Sequence, residues 1–297
     1  VGLTVTSTNG CSNSSVQNAN IFYLPQVNFT SDSVCWGNLT SFTDQSTVVN
    51  GIITFWNWDF GGGFTGISPT PTNLFPTSGS HPINLTVTTN QGCVANGNGN
   101  TFVYALPNVN FTVTDACQNN SVTTNNLSST STGNLTYLWN FGDGSPINAN
   151  DTHLYPNPGM YQVDLTATTD QNCSATVTQM VKIYTNPTAN FTVDTTCLLN
   201  NSIFVNQSTI NTPMFDDIIT SYEWDFNTDG NIENTNSNPQ YAFQSEGFHN
   251  SSLTVTTLFG CTNSITKQAV IWPLPQVNFD YLYLCLNDST EFTDFST

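Results

Sequence analysis

The chain has 297 residues, of which 37% are hydrophobic and 20 are Phe, so it can bury more than one apolar core. Its 20 acids against two lysines and no arginine give a net charge of −18, which excludes nucleic acid as a partner because phosphate binding needs clustered cations. No run approaches about 18 apolar residues and no basic start precedes an apolar region, so the sequence predicts neither a membrane span nor a signal peptide within it.

A motif in which a Leu lies eight residues before a Cys recurs along the chain. Its copies are LTVTSTNGC from Leu3, LTVTTNQGC from Leu85, LTATTDQNC from Leu165 and LTVTTLFGC from Leu253. A proline-containing motif follows each copy at a constant distance, and in chain order it reads PQVNFT, PNVNFT, PTANFT and PQVNFD. Repetition at constant spacing is typical of tandem structural modules.

The proline-containing joints divide the chain into three complete repeats and two partial ones. In chain order the segments are the C-terminal part of a repeat at 1–26, complete repeats at 27–108, 109–188 and 189–276, and the N-terminal part of a further repeat at 277–297. Because a repeat is cut at each end, we expect the chain to be part of a longer array. Short joints that contain Pro are expected to be stiff.

Apolar and polar residues alternate with period two within each repeat. In MYQVDLTATT, for example, Val163, Leu165 and Ala167 would face one side of a strand and the polar residues the other. No segment shows convincing helical periodicity. The pattern predicts an all-β fold with about seven short strands per repeat, turning at Asn, Gly, Asp and Pro, which is typical of an immunoglobulin-like sandwich.

One aromatic pair stands at the same place in every complete repeat. A Trp is followed two residues later by a Phe, which puts both rings on the same face of a strand. Large aromatic side chains at a fixed register are expected to be buried. The predicted core residues are Trp58, Trp139, Trp224, Phe60, Phe141 and Phe226.

A longer motif spans Tyr137 to Leu165. It begins YLWNFGDGSP and ends HLYPNPGMYQVDL, and the segments FWNWDFGGG and YEWDFNTDG are looser copies in the other two repeats. This motif resembles the PKD (polycystic kidney disease) repeat. The resemblance implies an all-β chain of tandem Ig-like (PKD-type) β-sandwich domains arranged end to end and used as spacer or adhesive modules. It also implies an extracellular or cell-surface location in a bacterium, because the cysteine-bearing variety looks like the arrays of Bacteroidota surface proteins.

Asp143 lies between two glycines of this motif, in a loop that could present a carboxylate for chemistry. The first complete repeat has Gly62 at the corresponding position. A carboxylate that a neighbouring repeat omits is not expected to be catalytic. We expect Asp143 to accept hydrogen bonds from nearby backbone amides, as aspartates in turns do.

The three histidines are predicted to be packing or turn residues. His81 and His249 occupy the position that holds Tyr161 in the second complete repeat, and His153 takes the position at which the family usually has His. A residue that an aromatic replaces is not expected to be a metal ligand or a general base. Because the sequence also lacks G-x-S-x-G, Walker and H-E-x-x-H motifs, we predict no enzyme activity.

The third complete repeat carries oxygen-bearing side chains at alternate positions of DFNTDGNIENTN. Hard oxygen ligands that alternate around a glycine turn are the pattern of a calcium-binding loop. The predicted calcium ligands are Asp225, Asn227, Asp229, Asn231 and Glu233. The segment departs from that pattern at its twelfth position, where Asn236 replaces a bidentate Glu, so a solvated acidic turn is the alternative.

Eight regularly spaced cysteines in a chain expected to be exported predict disulfides rather than a metal site. Pairing within repeats would join Cys35 to Cys93, Cys117 to Cys173 and Cys197 to Cys261. In an immunoglobulin-like topology these turns lie at opposite poles, roughly 25 to 35 Å apart, far beyond the roughly 6 Å span of a disulfide. Repeats stacked end to end would instead join Cys35 to Cys173 and Cys117 to Cys261. We favour this inter-repeat pairing, with pairing within repeats as the alternative.

Two kinds of glycosylation signal recur in the sequence. N-x-S/T sequons stand at one repeated position, at Asn28, Asn110 and Asn190. The family resemblance adds the D-S/T-x signal for O-glycosylation in Bacteroidota, which matches at Ser33, Thr195 and Ser289.

The leading hypothesis is a structural, adhesive extracellular repeat protein that forms a stiff surface stalk or filament. Its partners would be neighbouring repeats of the same chain, other copies in a filament, and glycans. The alternative is a spacer or carbohydrate-binding region of a large secreted hydrolase, in which exposed Trp36 and Trp272 would stack on sugars.

Overall fold

The computed structural model describes residues 1–211, 213, 215–282 and 285–297. Regular secondary structure in these residues consists of β-strands, and they contain no helix. The strands of each complete repeat form two sheets, and the strands that the repeats share are paired in the same order. The predicted fold class, all-β with tandem Ig-like domains in series, is confirmed.

The chain divides into two compact units. The first comprises Val1–Asn110, Leu127–Tyr137 and Leu165–Val177, and the second comprises Phe111–Asn126, Leu138–Asp164 and Thr178–Thr297. The first complete repeat lies entirely in the first unit and the third lies entirely in the second. Residues of the second repeat belong partly to each.

The first unit opens with an antiparallel hairpin of β1 (Gly2–Thr6) and β2 (Ser12–Val16). The first complete repeat follows, with strands β3 (Phe29–Ser31), β4 (Val34–Cys35), β5 (Thr40–Asp44), β6 (Ile53–Asp59), β7 (Thr65–Gly66), β8 (Thr72–Asn73), β9 (Gly79–Thr89) and β10 (Val94–Tyr104). One sheet has the order β3-β5-β8 and the other the order β4-β10-β9-β6-β7.

The second repeat has the same arrangement without a counterpart of β7. Its strands are β11 (Phe111–Val113), β12 (Ala116–Cys117), β13 (Ser121–Asn126), β14 (Leu135–Asn140), β15 (Thr152–Leu154), β16 (Gly159–Thr169) and β17 (Ser174–Tyr184). They form sheets in the orders β11-β13-β15 and β12-β17-β16-β14.

The third repeat lies wholly in the second unit. Its strands are β18 (Phe191–Val193), β19 (Thr196–Cys197), β20 (Asn201–Asn206), β21 (Ile219–Asp225), β22 (Gln240–Ala242), β23 (Gly247–Thr257) and β24 (Thr262–Trp272). The sheet orders are β18-β20-β22 and β19-β24-β23-β21, and a last hairpin pairs β25 (Phe279–Tyr281) with β26 (Phe292–Asp294).

The final two strands of each repeat are longer than the short strands that the sequence predicts. β9, β16 and β23 are eleven residues long, and so are β10, β17 and β24. Burial along β9, β16 and β23 follows one pattern, in which every second residue of the C-terminal half is buried. That alternation is the period-two geometry of a strand. The N-terminal halves carry Gly, Ser, His or Pro, so their strand character is not visible in the apolar pattern.

Aromatic side chains fill the interior of each repeat. Trp58, Trp139 and Trp224 are fully buried, and each stacks on the Phe two residues later, with ring centroids 6.0, 6.2 and 6.0 Å apart. A Phe from the first strand of the repeat meets each Trp edge-on at 5.0 to 5.2 Å, and these are Phe29, Phe111 and Phe191. Each edge-on contact adds about 1 kcal/mol to the burial of the rings.

Local backbone pairing fixes where the two cysteines of a repeat lie. In the first repeat, β4 pairs in parallel with the end of β10, which puts Cys35 opposite Tyr104. Cys93 closes the turn between β9 and β10, where the Thr89 N–H donates to the Cys93 carbonyl at 2.9 Å. Because β10 runs between them from Val94 to Tyr104, the two cysteines lie at opposite ends of the repeat, roughly 33 Å apart.

Candidate functional site

The turn after β14 ties Asp143 into the fold. The Ser145 N–H donates to Asp143 Oδ1 at 3.0 Å, and His153 Nε2 lies 2.7 Å from Asp143 Oδ2. The two side chains of that pair are only 13% and 15% exposed. Desolvation raises the pKa of Asp143, but the hydrogen bonds from Ser145 and His153 outweigh it and lower the pKa from 3.8 to about 2. Asp143 therefore stays ionised and holds its turn in place.

The hydrogen bond between Asp143 and His153 was not predicted from the sequence. The imidazole stacks on the Phe141 ring at 4.5 Å and meets Tyr155 edge-on at 4.6 Å, so His153 packs as expected. Its bond to Asp143 is additional, and it joins the turn after β14 to β15. The other two repeats lack this pair of residue types, so comparison of repeats could not reveal it.

His81, Tyr161 and His249 perform the same task in the three repeats. Each side chain bonds to the backbone carbonyl four residues earlier, at 2.9, 2.9 and 2.8 Å. Each ring also stacks on a buried aromatic at 4.3 to 4.5 Å, and these are Phe75, Tyr155 and Phe243. The shared geometry explains why His and Tyr interchange here.

A folded acidic loop follows β21. Asp225 is 9% exposed and accepts hydrogen bonds from the N–H groups of Asp229 at 3.2 Å and Gly230 at 2.9 Å. Glu233 accepts one from the Phe226 N–H at 2.8 Å. One ligand oxygen from each of Asp225, Asp229 and Glu233 lies within 4.8 Å of the others. The loop therefore gathers three carboxylates where a hard cation could bridge them.

The two asparagines predicted as ligands lie around Asp229. The Asn231 N–H donates to Asp229 Oδ1 at 2.8 Å, and Asn227 Nδ2 donates to Oδ2 at 3.2 Å. These hydrogen bonds, those of Asn231 first, hold the pKa of Asp229 below its usual value. Thr228 and Gly230 have φ of 56° and 90°, the left-handed conformation that bends the loop sharply.

The loop differs from a calcium-binding loop at its end. The Asn236 carbonyl accepts the Trp224 Nε1–H at 2.9 Å, and the Asn236 N–H bonds to Asn234 Oδ1 at 2.9 Å. Asn236 therefore anchors the core tryptophan. The first, fifth and ninth positions, Asp225, Asp229 and Glu233, supply the converging oxygens.

Disulfides join each complete repeat to the next. Cys35 is bonded to Cys173 and Cys117 to Cys261, with Cα atoms 5.5 and 5.6 Å apart. Each bond links the first Cys of one repeat to the hairpin Cys of the following repeat. These are the inter-repeat pairs that end-to-end stacking favours. We call the two bonds the staples.

The alternative pairing within repeats does not occur among the described residues. Cys93 and Cys197 are unbonded, as are Cys11 and Cys285, and the remaining four cysteines form the staples. The separation of roughly 33 Å along β10 gives the reason, since no disulfide spans it.

The glycosylation signals lie on accessible segments with one exception. Asn28, Asn110, Ser33, Thr195 and Ser289 are exposed. Asn190 is half-buried and engaged, because its Oδ1 accepts from Lys267 Nζ at 2.7 Å and its Nδ2 donates to Gln207 at 3.3 Å.

Two exposed tryptophans stand apart from the core. Trp36 and Trp272 are 47% and 57% exposed, and the Trp36 Nε1–H donates to the Pro76 carbonyl at 3.2 Å. The residues that correspond to Trp36 in the next two repeats are Gln118 and Leu198, so the exposed ring does not recur.

No helix that could cross a membrane is present in the part of the chain that the structure describes.

Comparison with protein families identifies one kind of domain in three successive segments of the chain. The family model of the PKD domain matches residues 24–103, 104–183 and 184–272, which together make up more than half of the chain. A comparison with curated proteins found no match.

Several solved structures resemble parts of the chain. The PKD1 domain of Vibrio anguillarum Epp is 24% identical, with a TM-score of 0.27, and the alignment covers 28% of this chain and 96% of that domain. The PKD1 domain from Vibrio cholerae metalloprotease PrtV is 26% identical, with a TM-score of 0.25 and coverage of 27% and 96%. The three N-terminal domains of the bacteriophage RB49 Highly Immunogenic Outer Capsid protein are 10% identical, with a TM-score of 0.36 and coverage of 85% and 99%.

Replacing Asp143 by Asn is expected to destabilise the chain by about 1 kcal/mol at neutral pH, because the hydrogen bond between His153 Nε2 and a charged carboxylate is replaced by one to a neutral amide. The lowered pKa sets the pH window. Wild type keeps this contribution above about pH 4 and loses it as pH falls through about 2, so the two proteins converge in acid. Denaturant unfolding at several pH values measures the difference. The exposed Asp151→Asn is the control, and equal effects of both variants would contradict the assignment.

Proposed function

The chain belongs to the PKD domain family, and from that premise we propose that it forms a stiff structural and adhesive stalk, or part of a filament, on the outside of a bacterial cell. Domains of this family are non-catalytic structural and adhesion modules. Such domains, together with disulfides, are typical of extracellular proteins. Tandem PKD domains form a repeat region in which each domain neighbours the next.

The observation that carries the proposal is the position of the staples. A joint held by the peptide chain alone can bend and twist about its free backbone dihedrals. At the first joint the Cys35–Cys173 bond adds a second covalent connection between the same two repeats, and Cys117–Cys261 does so at the second. Two points of attachment remove most of that freedom, which favours a stiff array over a flexible spacer.

Packing beside the second staple supports the same conclusion. The Tyr184 ring, at the end of β17, stacks on Phe259 of the third repeat with centroids 4.1 Å apart and planes within 10°. A joint that is packed and covalently closed is suited to transmit force.

The adhesive part of the proposal rests on family membership and on accessible side chains. Exposed rings such as Trp36 and Trp272 offer apolar faces to a glycan or to another copy of the chain. The Trp36 ring does not recur, and the counterparts of Trp272 are Tyr104 and Tyr184, of which Tyr184 is buried, so the structural role is the better supported one.

Stretching the chain between its ends tests the structural role. Segments 36–172 and 118–260 lie inside loops closed by the staples, so they cannot extend fully while the disulfides are intact. We expect single-molecule force spectroscopy to give a much shorter unfolded length in oxidising buffer than in a thiol reductant. Removing one staple, by Cys35→Ser with Cys173→Ser, is expected to lengthen the oxidised chain and to destabilise it by about 2 to 4 kcal/mol.

The matched control changes the unbonded pair, by Cys93→Ser with Cys197→Ser, and should leave length and stability unchanged. Peptide mapping without reductant identifies the bonded cysteines in the same samples. A peptide joining Cys35 to Cys93, or an oxidised length equal to the reduced one, would contradict the stapled stalk.

Calcium in the acidic loop is a second element of the proposal. Asp225, Asp229 and Glu233 bring carboxylate oxygens within 4.8 Å of one another, and the loop has no basic side chain to balance them. Oxygen ligands of this kind suit Ca²⁺, and extracellular modules bind it with dissociation constants of about 0.1 to 1 mM. A bound ion would tie the end of β21 to the segment that anchors Trp224.

Calcium titration of the chelated chain by calorimetry tests the loop. The variant Asp229→Asn with Glu233→Gln keeps the size of both side chains and is expected to lose the binding event that depends on the loop. Glu223→Gln removes one exposed charge from β21 and serves as the control. Equal calcium uptake by wild type and the loop variant would show that the segment is a solvated acidic turn.

Glycans at the accessible signals complete the proposal. Asn28, Asn110, Ser33, Thr195 and Ser289 are exposed, whereas Asn190 is engaged with Lys267 and is expected to stay unmodified. Intact-mass measurement of protein from its native source, followed by peptide mapping, is expected to find added hexose-containing mass at these sites. A mass equal to the unmodified chain would remove this element.

A further inference from the structure

A cavity of about 250 Å³ lies at the joint between the first and second repeats, within the first compact unit. One side is formed by the end of β10, and the other by the loop 130–133 and the hairpin residues 169–171. The side chains that give the cavity its chemistry are Phe102, Tyr104, Ser131, Thr132, Asp170 and Gln171. Aromatic rings and oxygen-bearing groups therefore border the same small space.

The corresponding space at the second joint is filled by the protein itself. Tyr184 corresponds to Tyr104, because each ends the last strand of its repeat opposite the first Cys. The Tyr184 ring stacks on Phe259 with centroids 4.1 Å apart and meets Phe215 edge-on at 5.7 Å. Tyr184 is consequently only 7% exposed.

Two differences in sequence leave the first joint open. Gln171 takes the position of Phe259, two residues before the hairpin Cys, so the stacking ring is missing. The loop between β13 and β14 has eight residues, 127–134, whereas the loop between β20 and β21 has twelve, 207–218. The shorter loop contains no aromatic residue, so the counterpart of Phe215 is missing as well.

Tyr104 is therefore less covered than Tyr184. It is half-buried, and the ring that contacts it is Phe102, tilted by 56° at a centroid distance of 5.1 Å. The Tyr184 hydroxyl donates to Asp115 Oδ2 at 3.0 Å, and the first repeat has Ser33 in place of Asp115. Since no ring stacks on Tyr104 in the described part of the chain, its face is open to a ligand in the cavity.

Hydrogen bonds within the second repeat position the polar side of the cavity. Thr130 Oγ1 donates to the Thr132 carbonyl at 3.1 Å, and this folded loop carries the exposed side chains of Ser131 and Thr132. Asp170 Oδ2 accepts a hydrogen bond from the Asn134 N–H at 2.8 Å, which holds the carboxylate beside the same loop. Hydroxyl donors and a carboxylate acceptor are thus placed opposite the aromatic residues.

This combination suits a sugar ring. The C–H face of a pyranose can pack on an aromatic ring while its hydroxyls exchange hydrogen bonds with the polar side. Small-molecule sites of drug size measure about 300 to 1,000 Å³, so a cavity just below that range has room for a single ring. Among the described residues that line it there is an acid, Asp170, and no Lys or Arg, which disfavours an anionic sugar.

We propose that the cavity at the first joint binds one neutral pyranose ring, stacked on Tyr104 in the place that Phe259 takes beside Tyr184. The hydroxyls of the sugar would donate to Asp170 and accept from Ser131 and Thr132. This inference rests on the adhesive part of the proposed function, for which it names a ligand class, and not on the stiffness of the stalk.

The test uses the full chain and four probes, the methyl pyranosides of glucose, galactose, mannose and N-acetylglucosamine. Saturation-transfer NMR followed by titration is expected to show saturable binding of at least one probe, and none of methyl glucuronide at neutral pH. Gln171→Phe supplies the ring that the second joint has and should abolish binding. Gln91→Phe makes the same change at the corresponding hairpin position of the first repeat, outside the cavity, and should leave binding unchanged.

A second variant guards against a folding defect in the first. Tyr104→Leu removes the ring without adding bulk and should weaken binding by about three- to tenfold, as loss of a ring contact does. Thermal unfolding checks that both variants fold.

Several results would overturn the proposal. They are absence of binding by all four probes, binding that survives Gln171→Phe, equal loss in Gln91→Phe, and binding of tetramethylammonium in place of any sugar. The stalk is judged separately, because the staples are intact in Gln171→Phe and its oxidised length under force should equal that of wild type.

Discussion

The separation of the two cysteines within a repeat is the constraint on which the covalent structure depends. The first Cys is held beside the end of the last strand by the parallel pairing of β4 with β10, and the second closes the hairpin at the start of that strand. Eleven extended residues separate the two cysteines, so they cannot form a disulfide with each other. A cysteine that cannot bond within its own repeat is placed at the face of the repeat that meets a neighbour. Because the hairpin strands are this long, the disulfides form between repeats and not within them.

The aromatic interior is the second feature on which the structure depends, because the turns can differ in sequence while the core stays the same. Trp58, Trp139 and Trp224 are packed in the same way, whereas the turns that follow them differ completely. One turn is built of glycine, one pairs Asp143 with His153, and one gathers three carboxylates. Since the core holds the strand ends in place, these turns carry chemistry specific to one repeat at little cost to the fold.

The sequence was enough to predict the features that repeat and to single out the acidic loop, but it did not indicate contacts that single residues make only once. Period-two alternation and the fixed Trp and Phe positions were enough for the sandwich fold, because burial depends on pattern and each repeat confirmed the others. The bond between Asp143 and His153 joins two elements ten residues apart, and no second copy indicates it. The burial of Asp217 was not predicted either, because an acid in a loop is expected to be solvated, whereas Asp217 is 2% exposed. Contacts that a single residue makes with a distant part of the chain can be identified only from the three-dimensional structure.

The staples are interleaved along the chain, in the order Cys35, Cys117, Cys173 and Cys261, so the two closed loops overlap. A single cleavage of the backbone anywhere between Cys35 and Cys261 therefore falls inside at least one closed loop. The two pieces stay covalently joined, and separation requires a further event, either reduction of a disulfide or another cut. Every exposed turn across this span can be nicked once by a peptidase without releasing what lies beyond it. The cross-links thus keep the chain continuous after a single cut.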